Sequence, residues 1–174
     1  MELLPKFKNI SCFVFDMDGV LTDGTLLLLP NEVQVRRMNI KDGLALKMAI
    51  QQGYCVYIIS GSFSTEAKNR FEKLGVTEVH FNINNKFEFL SSIIKKNELN
   101  WDKILFMGDD LPDIEAMKAV GVASCPSDAI HEVKSISHYI SPLKGGKGCV
   151  RDVIEKVLKL NGHWQQDSSI ASHL

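Results

Sequence analysis

The stretch CFVFDMDGVLTDG, residues 12–24, places Asp16, Asp18 and Asp23 directly after four apolar residues. A run such as CFVF belongs to a buried strand, and a carboxylate at its end is costly unless a cation or a set of donors meets it. Two carboxylates two residues apart point to a metal ion. Three further stretches carry polar groups suited to the same site: SGS at 60–62, Lys86 in NNK, and MGDDLPD at 107–113.

The chemistry that unites them is phosphoryl transfer through a covalent intermediate. A carboxylate attacks phosphorus, and water hydrolyses the resulting aspartyl phosphate. Asp16, at the strand tip, is placed to be that nucleophile. Asp18 suits the acid and base work, protonating the leaving alkoxide and later taking a proton from water. A hydrated Mg²⁺ neutralises the crowded negative charge, with Asp109 as the oxygen ligand opposite Asp16. Ser60 and the backbone amides after it, from Gly61 on, donate to the phosphoryl oxygens. Lys86 adds fixed positive charge that holds Asp16 and the phosphate together. Taken singly, each feature has an ordinary reading: Ser-Gly is a turn, a lysine at a helix start is solvated, and Asp110 or Asp113 caps a helix. A calcium loop beginning at Asp16 is excluded, because Leu27 stands where its closing glutamate belongs. The four stretches in order, each at the carboxyl end of a strand, make the set specific.

The elements that must position these groups alternate along the chain. Short apolar runs at 12–15, 55–59, 78–81, 103–107, 121–124 and 138–140 are separated by amphipathic stretches. The spacing predicts helices over 42–52, with Asp42 as cap and Gly53 after the last turn, and over 64–74, closed by Gly75. Val150, Val153, Ile154, Val157 and Leu158 repeat at helical spacing near the end. Such alternation predicts an α/β fold, a Rossmann-like, doubly wound parallel sheet with helices on both faces. Ligands bind such sheets at the carboxyl ends of the strands. One segment departs from the pattern. TLLLLPNEVQVRRM, residues 25–38, reads as a β-hairpin inserted after the first strand, with an apolar face that must meet the active site or another subunit. A single domain is expected over 1–162, followed by a mobile polar tail at 163–174.

A formal net charge of −1 gives no general attraction to nucleic acid or to an anionic membrane. No apolar run reaches the length of a membrane span, and the first residues lack the pattern of a secretory signal. Four scattered cysteines with no CxxC pair read as reduced core residues of a cytoplasmic protein.

FDMDGVLTDG, IISG, the lysine of NNK and GDDLPD resemble the four signature motifs of the haloacid dehalogenase superfamily, over roughly residues 12–160. The resemblance implies Asp16 as nucleophile and Asp18 as acid and base, the latter also lending its backbone carbonyl to Mg²⁺. It implies Asp109 as the third protein ligand, Ser60 and Lys86 as phosphate binders, and Asp110 and Asp113 as carboxylates beside the metal. Asp18 implies ester hydrolysis, since the dehalogenases and phosphonatases of the superfamily lack that aspartate. The gaps between motifs leave no room for a cap domain. DGVLTDG, the hairpin, NIKDG, GGKG and RDVIEKVL are similar to capless, tetrameric members that act on 2-keto-3-deoxy sugar acid phosphates. That likeness implies a homotetramer assembled through the hairpin. It also implies hydrolysis of 3-deoxy-D-manno-octulosonate 8-phosphate to Kdo and inorganic phosphate, on the route to lipopolysaccharide. Arg37, Lys41, Arg70 and Lys147 are then candidates for contacting the substrate carboxylate. Ser62 and Phe63 stand where relatives carry other residues, which keeps nine-carbon nonulosonate 9-phosphates as the alternative substrate. A receiver-like signalling module is the alternative of another class. It keeps its phosphorylated aspartate on the third strand, where EVHFNINN has none.

Overall fold

In the computed structural model, residues 3–164 are described. In chain order the elements are α1 (Leu3–Lys8), β1 (Cys12–Phe15), β2 (Leu27–Leu28), β3 (Gln34–Val35), α2 (Ile40–Gln51), β4 (Cys55–Ile59), α3 (Thr65–Leu74) and β5 (Glu78–His80). There follow α4 (Lys86–Lys96), β6 (Ile104–Met107), α5 (Ile114–Ala119), β7 (Val122–Cys125), α6 (His131–Ile136), β8 (Tyr139–Ile140) and α7 (Cys149–Leu160). The main sheet has the order β5-β4-β1-β6-β7-β8, and every pairing in it is parallel. The chain winds outward from β1 through β4 and β5, then returns to the other side of β1 with β6. The order therefore reverses between β1 and β6, where crevices form in open α/β sheets.

The central strands are apolar on both faces because helices cover both. Phe13, Phe15, Leu105 and Met107 turn toward α1, α2, α3 and α7. Cys12, Val14, Ile104 and Phe106, their alternating neighbours, turn toward α4, α5 and α6. The four cysteines are free thiols. Among the described residues no helix is long and apolar enough to cross a membrane.

Local chemistry sets the helix ends. Ser64 accepts from Ala67 N–H and Asn85 from Glu88 N–H, capping α3 and α4. Gly75 closes α3 in the left-handed region. The expectation that Asp42 caps α2 is corrected: Asn39 does so, accepting from Lys41 N–H at 2.9 Å. Asp42 instead lies buried inside the first turn and accepts from Arg151 N–H at 2.7 Å. It thereby caps α7, whose own N-terminal flank is glycine, from a different helix.

The hairpin forms as expected but pairs over a short length, Leu27 with Val35 and Leu28 with Gln34. An isolated antiparallel bridge, Thr22 with Met38, ties its base to the segment that follows β1. Leu26, Leu27, Leu28, Leu29, Val33 and Val35 are all exposed, Leu28 to 70%. Of the expected tail, residues 165–174 lie outside the described residues. His163 and Trp164 pack back on the domain: His163 Nδ1 is 2.9 Å from the Tyr54 hydroxyl, and Arg151 lies over the Trp164 ring at 5.3 Å.

Candidate active site

Asp16 and Asp109 follow β1 and β6, on the two sides of the point where the strand order reverses. One oxygen from each of Asp16, Asp109 and Asp113 falls within 4.8 Å of the others. Lys86 enters this cluster from the first turn of α4. Its ammonium, with the residue only 4% exposed, donates to Asp113 Oδ1 at 2.6 Å and lies 2.8 Å from Asp16 Oδ1. Burial alone pushes that ammonium toward neutrality, and Asp113 and Asp16 more than reverse it, leaving its pKa above the ordinary lysine value.

The carboxylates feel the opposite imbalance. Burial, with the charge of Asp113, pushes Asp16 up to about 6 although Lys86 pulls it down. Burial, followed by the charges of Asp16 and Asp113, pushes Asp109 up to about 8. Among the described residues, Asp109 Oδ1 is buried with no hydrogen-bond partner. An unpartnered carboxyl oxygen beside two further carboxyls is what a hard divalent cation satisfies, so the residues present fit a metal ion.

Asp113 does two things that sequence alone left open. Its Oδ1 holds Lys86, while its Oδ2 accepts from Asp109 N–H at 2.9 Å and Asp110 N–H at 3.2 Å, bracing the turn after β6. Asp110 is exposed and caps Leu111 N–H at 2.7 Å. It lies outside the three-carboxylate cluster, so its helix-cap reading holds.

Asp18 follows Asp16 in a wide turn whose closing bond runs from Thr22 N–H to the Met17 carbonyl at 3.0 Å. Its side chain is not one of the three clustered carboxylates and has partners of its own. Oδ1 accepts from Arg36 Nε–H at 2.8 Å and from the Thr22 hydroxyl at 3.2 Å, and Oδ2 accepts from the Ser62 hydroxyl at 2.6 Å. The next residue, Gly19, has φ +92°, and a Cβ there would fall 2.0 Å from Asp109 Oδ2. The turn after Asp18 is therefore pressed against Asp109. The GGKG loop packs on its other side, since a Cβ on Gly145 would lie 1.9 Å from the Gly19 carbonyl oxygen.

Ser60, buried at the end of β4, has its hydroxyl 3.1 Å from that of Ser62. Gly61 leads from one serine to the other. The expected sugar contacts divide between places. Ser62 meets Asp18 Oδ2 and the Ser60 hydroxyl, and Arg70 lines a groove of about 320 Å³ under the hairpin together with Arg36. Lys41 and Lys147 line a separate cleft along α7. Arg37 and Lys147 lie close enough to Asp23 to help the Thr25 hydroxyl hold that carboxyl below its ordinary pKa.

Arg36 and Thr22 are the residues that sequence reasoning missed. The signal was present for Arg36: Val33 and Val35 alternate outward, so the next residue turns inward.

A scan against known families matches residues 78–151 to the haloacid dehalogenase-like hydrolases. The crystal structure of 3-deoxy-D-manno-octulosonate 8-phosphate phosphatase from Moraxella catarrhalis, in complex with magnesium ion, phosphate ion and KDO, is 30% identical. Each chain is covered to 90%, with a TM-score of 0.87. A probable yrbi family phosphatase from Pseudomonas syringae is 31% identical, with 92% of each chain covered and a TM-score of 0.90. This chain belongs to the haloacid dehalogenase-like hydrolases. Among sequences, this hydrolase is 29% identical over 161 residues to the 3-deoxy-D-manno-octulosonate 8-phosphate phosphatase KdsC of Escherichia coli K12, spanning 92% of this chain and 86% of that one.

Proposed function

We propose that the protein is a Mg²⁺-dependent phosphoric monoester hydrolase that converts 3-deoxy-D-manno-octulosonate 8-phosphate to Kdo and inorganic phosphate. The observation that carries the chemistry is the buried Lys86 ammonium between Asp16 and Asp113, beside the unpartnered oxygen of Asp109. The substrate rests on the Moraxella catarrhalis relative, which was solved with magnesium, phosphate and KDO.

Asp16 is the nucleophile. Its carboxylate attacks phosphorus and the sugar oxygen leaves with a proton from Asp18; Asp18 then takes a proton from the water that cleaves the aspartyl phosphate. Ser60 and the amides from Gly61 on donate to the phosphoryl oxygens, and Lys86 stabilises charge on the same group. Asp16, Asp109 and the backbone carbonyl of Asp18 hold the Mg²⁺, which supplies charge neutralisation at the phosphoryl group. Asp113 acts through its neighbours, fixing Lys86 and the backbone of Asp109.

The enzyme works in the cytoplasm as a homotetramer in which the leucines of the hairpin are covered by neighbouring copies. What supports this is the hairpin's continuous apolar surface, which a monomer leaves in water. Phosphate release from the eight-carbon and nine-carbon 2-keto-3-deoxy acid phosphates, measured side by side with Mg²⁺, tests the substrate. Preference for the nine-carbon acid moves the assignment to a nonulosonate 9-phosphate and makes Ser62 and Phe63 the residues to exchange.

A further inference from the structure

Three donors from three parts of the chain converge on the Asp18 carboxyl. Thr22 belongs to the same turn, Ser62 to the loop after β4, and Arg36 to the return leg of the hairpin. Arg36 is unusual among them, because its side chain is only 6% exposed although it sits on an inserted, otherwise exposed hairpin. The Thr22–Met38 bridge fixes the register of that return leg against the turn containing Asp18. Alternation then sends Val35 outward and Arg36 inward. The sequence spends a buried arginine on one carboxylate that the three-carboxylate cluster leaves out.

The two carboxylate oxygens differ in what they meet. Oδ1 takes Arg36 Nε–H, a group that can only donate, together with the Thr22 hydroxyl. The Thr22 oxygen in turn accepts from Gly19 N–H and Gly24 N–H, both at 3.2 Å, which turns its own hydrogen toward Asp18. Oδ1 is thus filled with donors and has no room for a proton. Oδ2 meets one hydroxyl, that of Ser62, which can donate to a carboxylate and turn to accept from a carboxylic acid. Ser62 also lies 3.1 Å from Ser60, so Oδ2 is the oxygen on the side of the phosphate-binding hydroxyl.

We infer that Arg36 and Ser62 are positioning residues for Asp18: Arg36 anchors Oδ1, and Ser62 directs Oδ2, the oxygen that exchanges the proton, toward the leaving group. The inference rests on the proposed acid and base role of Asp18. In the first step Asp16 Oδ forms a bond to phosphorus and the bond from phosphorus to the ester oxygen breaks. The proton on Asp18 Oδ2 passes to that oxygen, leaving Asp18 as a carboxylate still held by Arg36. The hairpin is thereby part of the catalytic apparatus of its own subunit as well as an apolar surface.

The test compares two esters in single-turnover experiments that follow release of the leaving group. An alkyl leaving group, in 3-deoxy-D-manno-octulosonate 8-phosphate, needs the proton; the nitrophenolate of 4-nitrophenyl phosphate leaves without it. Arg36→Gln and Ser62→Ala are expected to slow release from the alkyl ester about tenfold or more while changing the aryl ester by about twofold at most, and Arg36→Lys to recover most of the loss. Equal slowing of both esters, or of neither, in these two variants overturns the inference. Asp18→Asn is measured in parallel. If it alone shows the split, the inference fails and the role of Asp18 stands; if it shows none, the role itself falls and takes the inference with it. Ser62→Ala removes one hydroxyl from a half-buried side chain, so the comparison does not depend on how well the arginine variants fold.

Discussion

Lys86 Nζ donates to Asp113 Oδ1 at 2.6 Å while lying 2.8 Å from Asp16 Oδ1, so one buried ammonium serves a candidate nucleophile and the residue that braces the neighbouring turn. Removing it takes from Asp16 and Asp113 the ammonium that both of them meet. Lys86→Met should therefore cost about 3 kcal/mol of stability near neutral pH, and phosphate release should fall about a hundredfold or more. The stability loss should shrink on acidification, because the stranded carboxyls then take up protons. Chemical denaturation at two pH values, with turnover measured alongside, checks both.

Asp16 and Asp109, raised by burial to about 6 and about 8, set the pH response of the metal-free protein. Both values lie above those of an unfolded carboxyl. The fold thus favours the protonated forms, a stabilisation complete below about pH 4 and lost as pH rises through 6 and then 8. Mg²⁺ binds the ionised forms. The rise in melting temperature on adding Mg²⁺ should be small at pH 5 and grow toward pH 8.5, reaching about 5 °C. An increment that is flat or falls with pH would contradict this.

Gly19 touches Asp109 so closely that no side chain fits. Its φ of +92° also belongs to the region that favours glycine. Gly19→Ala should displace the Asp109 carboxyl and weaken Mg²⁺ binding about tenfold or more, a loss of the order seen when groups supporting a metal ligand are removed. Titration calorimetry with Mg²⁺ reads this directly.

Asp42 caps α7 through Arg151 N–H, and among the described residues its second oxygen is buried without a partner. Asp42→Ala should cost about 1–2 kcal/mol, as for loss of an N-cap, whereas Asp42→Asn keeps an acceptor. Burial raises this carboxyl to about 6, so the wild type loses stability as pH climbs from 4 through 6 and the amide does not. The Asn variant should therefore gain on the wild type between pH 4 and 7.5, as followed by urea denaturation at each pH.

The hairpin carries the oligomer prediction. Leu27→Asp with Leu28→Asp puts two charges on a surface that is now apolar. Light scattering should show a tetramer for the wild type and smaller species for the double variant. A monomeric wild type would remove the assembly from the proposal.

Much of the fold could be read from the chain because its signals are local. CFVF, CVYII and ILFM are apolar at every position, as only strands covered on both faces can be, and the glycines after α2 and α3 mark turns that need a left-handed residue. Asp16, Ser60, Lys86 and Asp109 were legible for the same reason, since a parallel sheet brings all strand ends to one edge. The sequence by itself determined which residue types stand at that edge. Tertiary structure decided their partners. Asp113 rather than Asp110 joined the cluster because a capping turn directs one carboxyl outward and the other inward. Asp42 left its own helix for α7, and Arg36 reached Asp18 across an inserted hairpin. Each of these pairings joins residues of different elements, so the sequence spacing shows that Arg36 turns inward but not which carboxylate it meets.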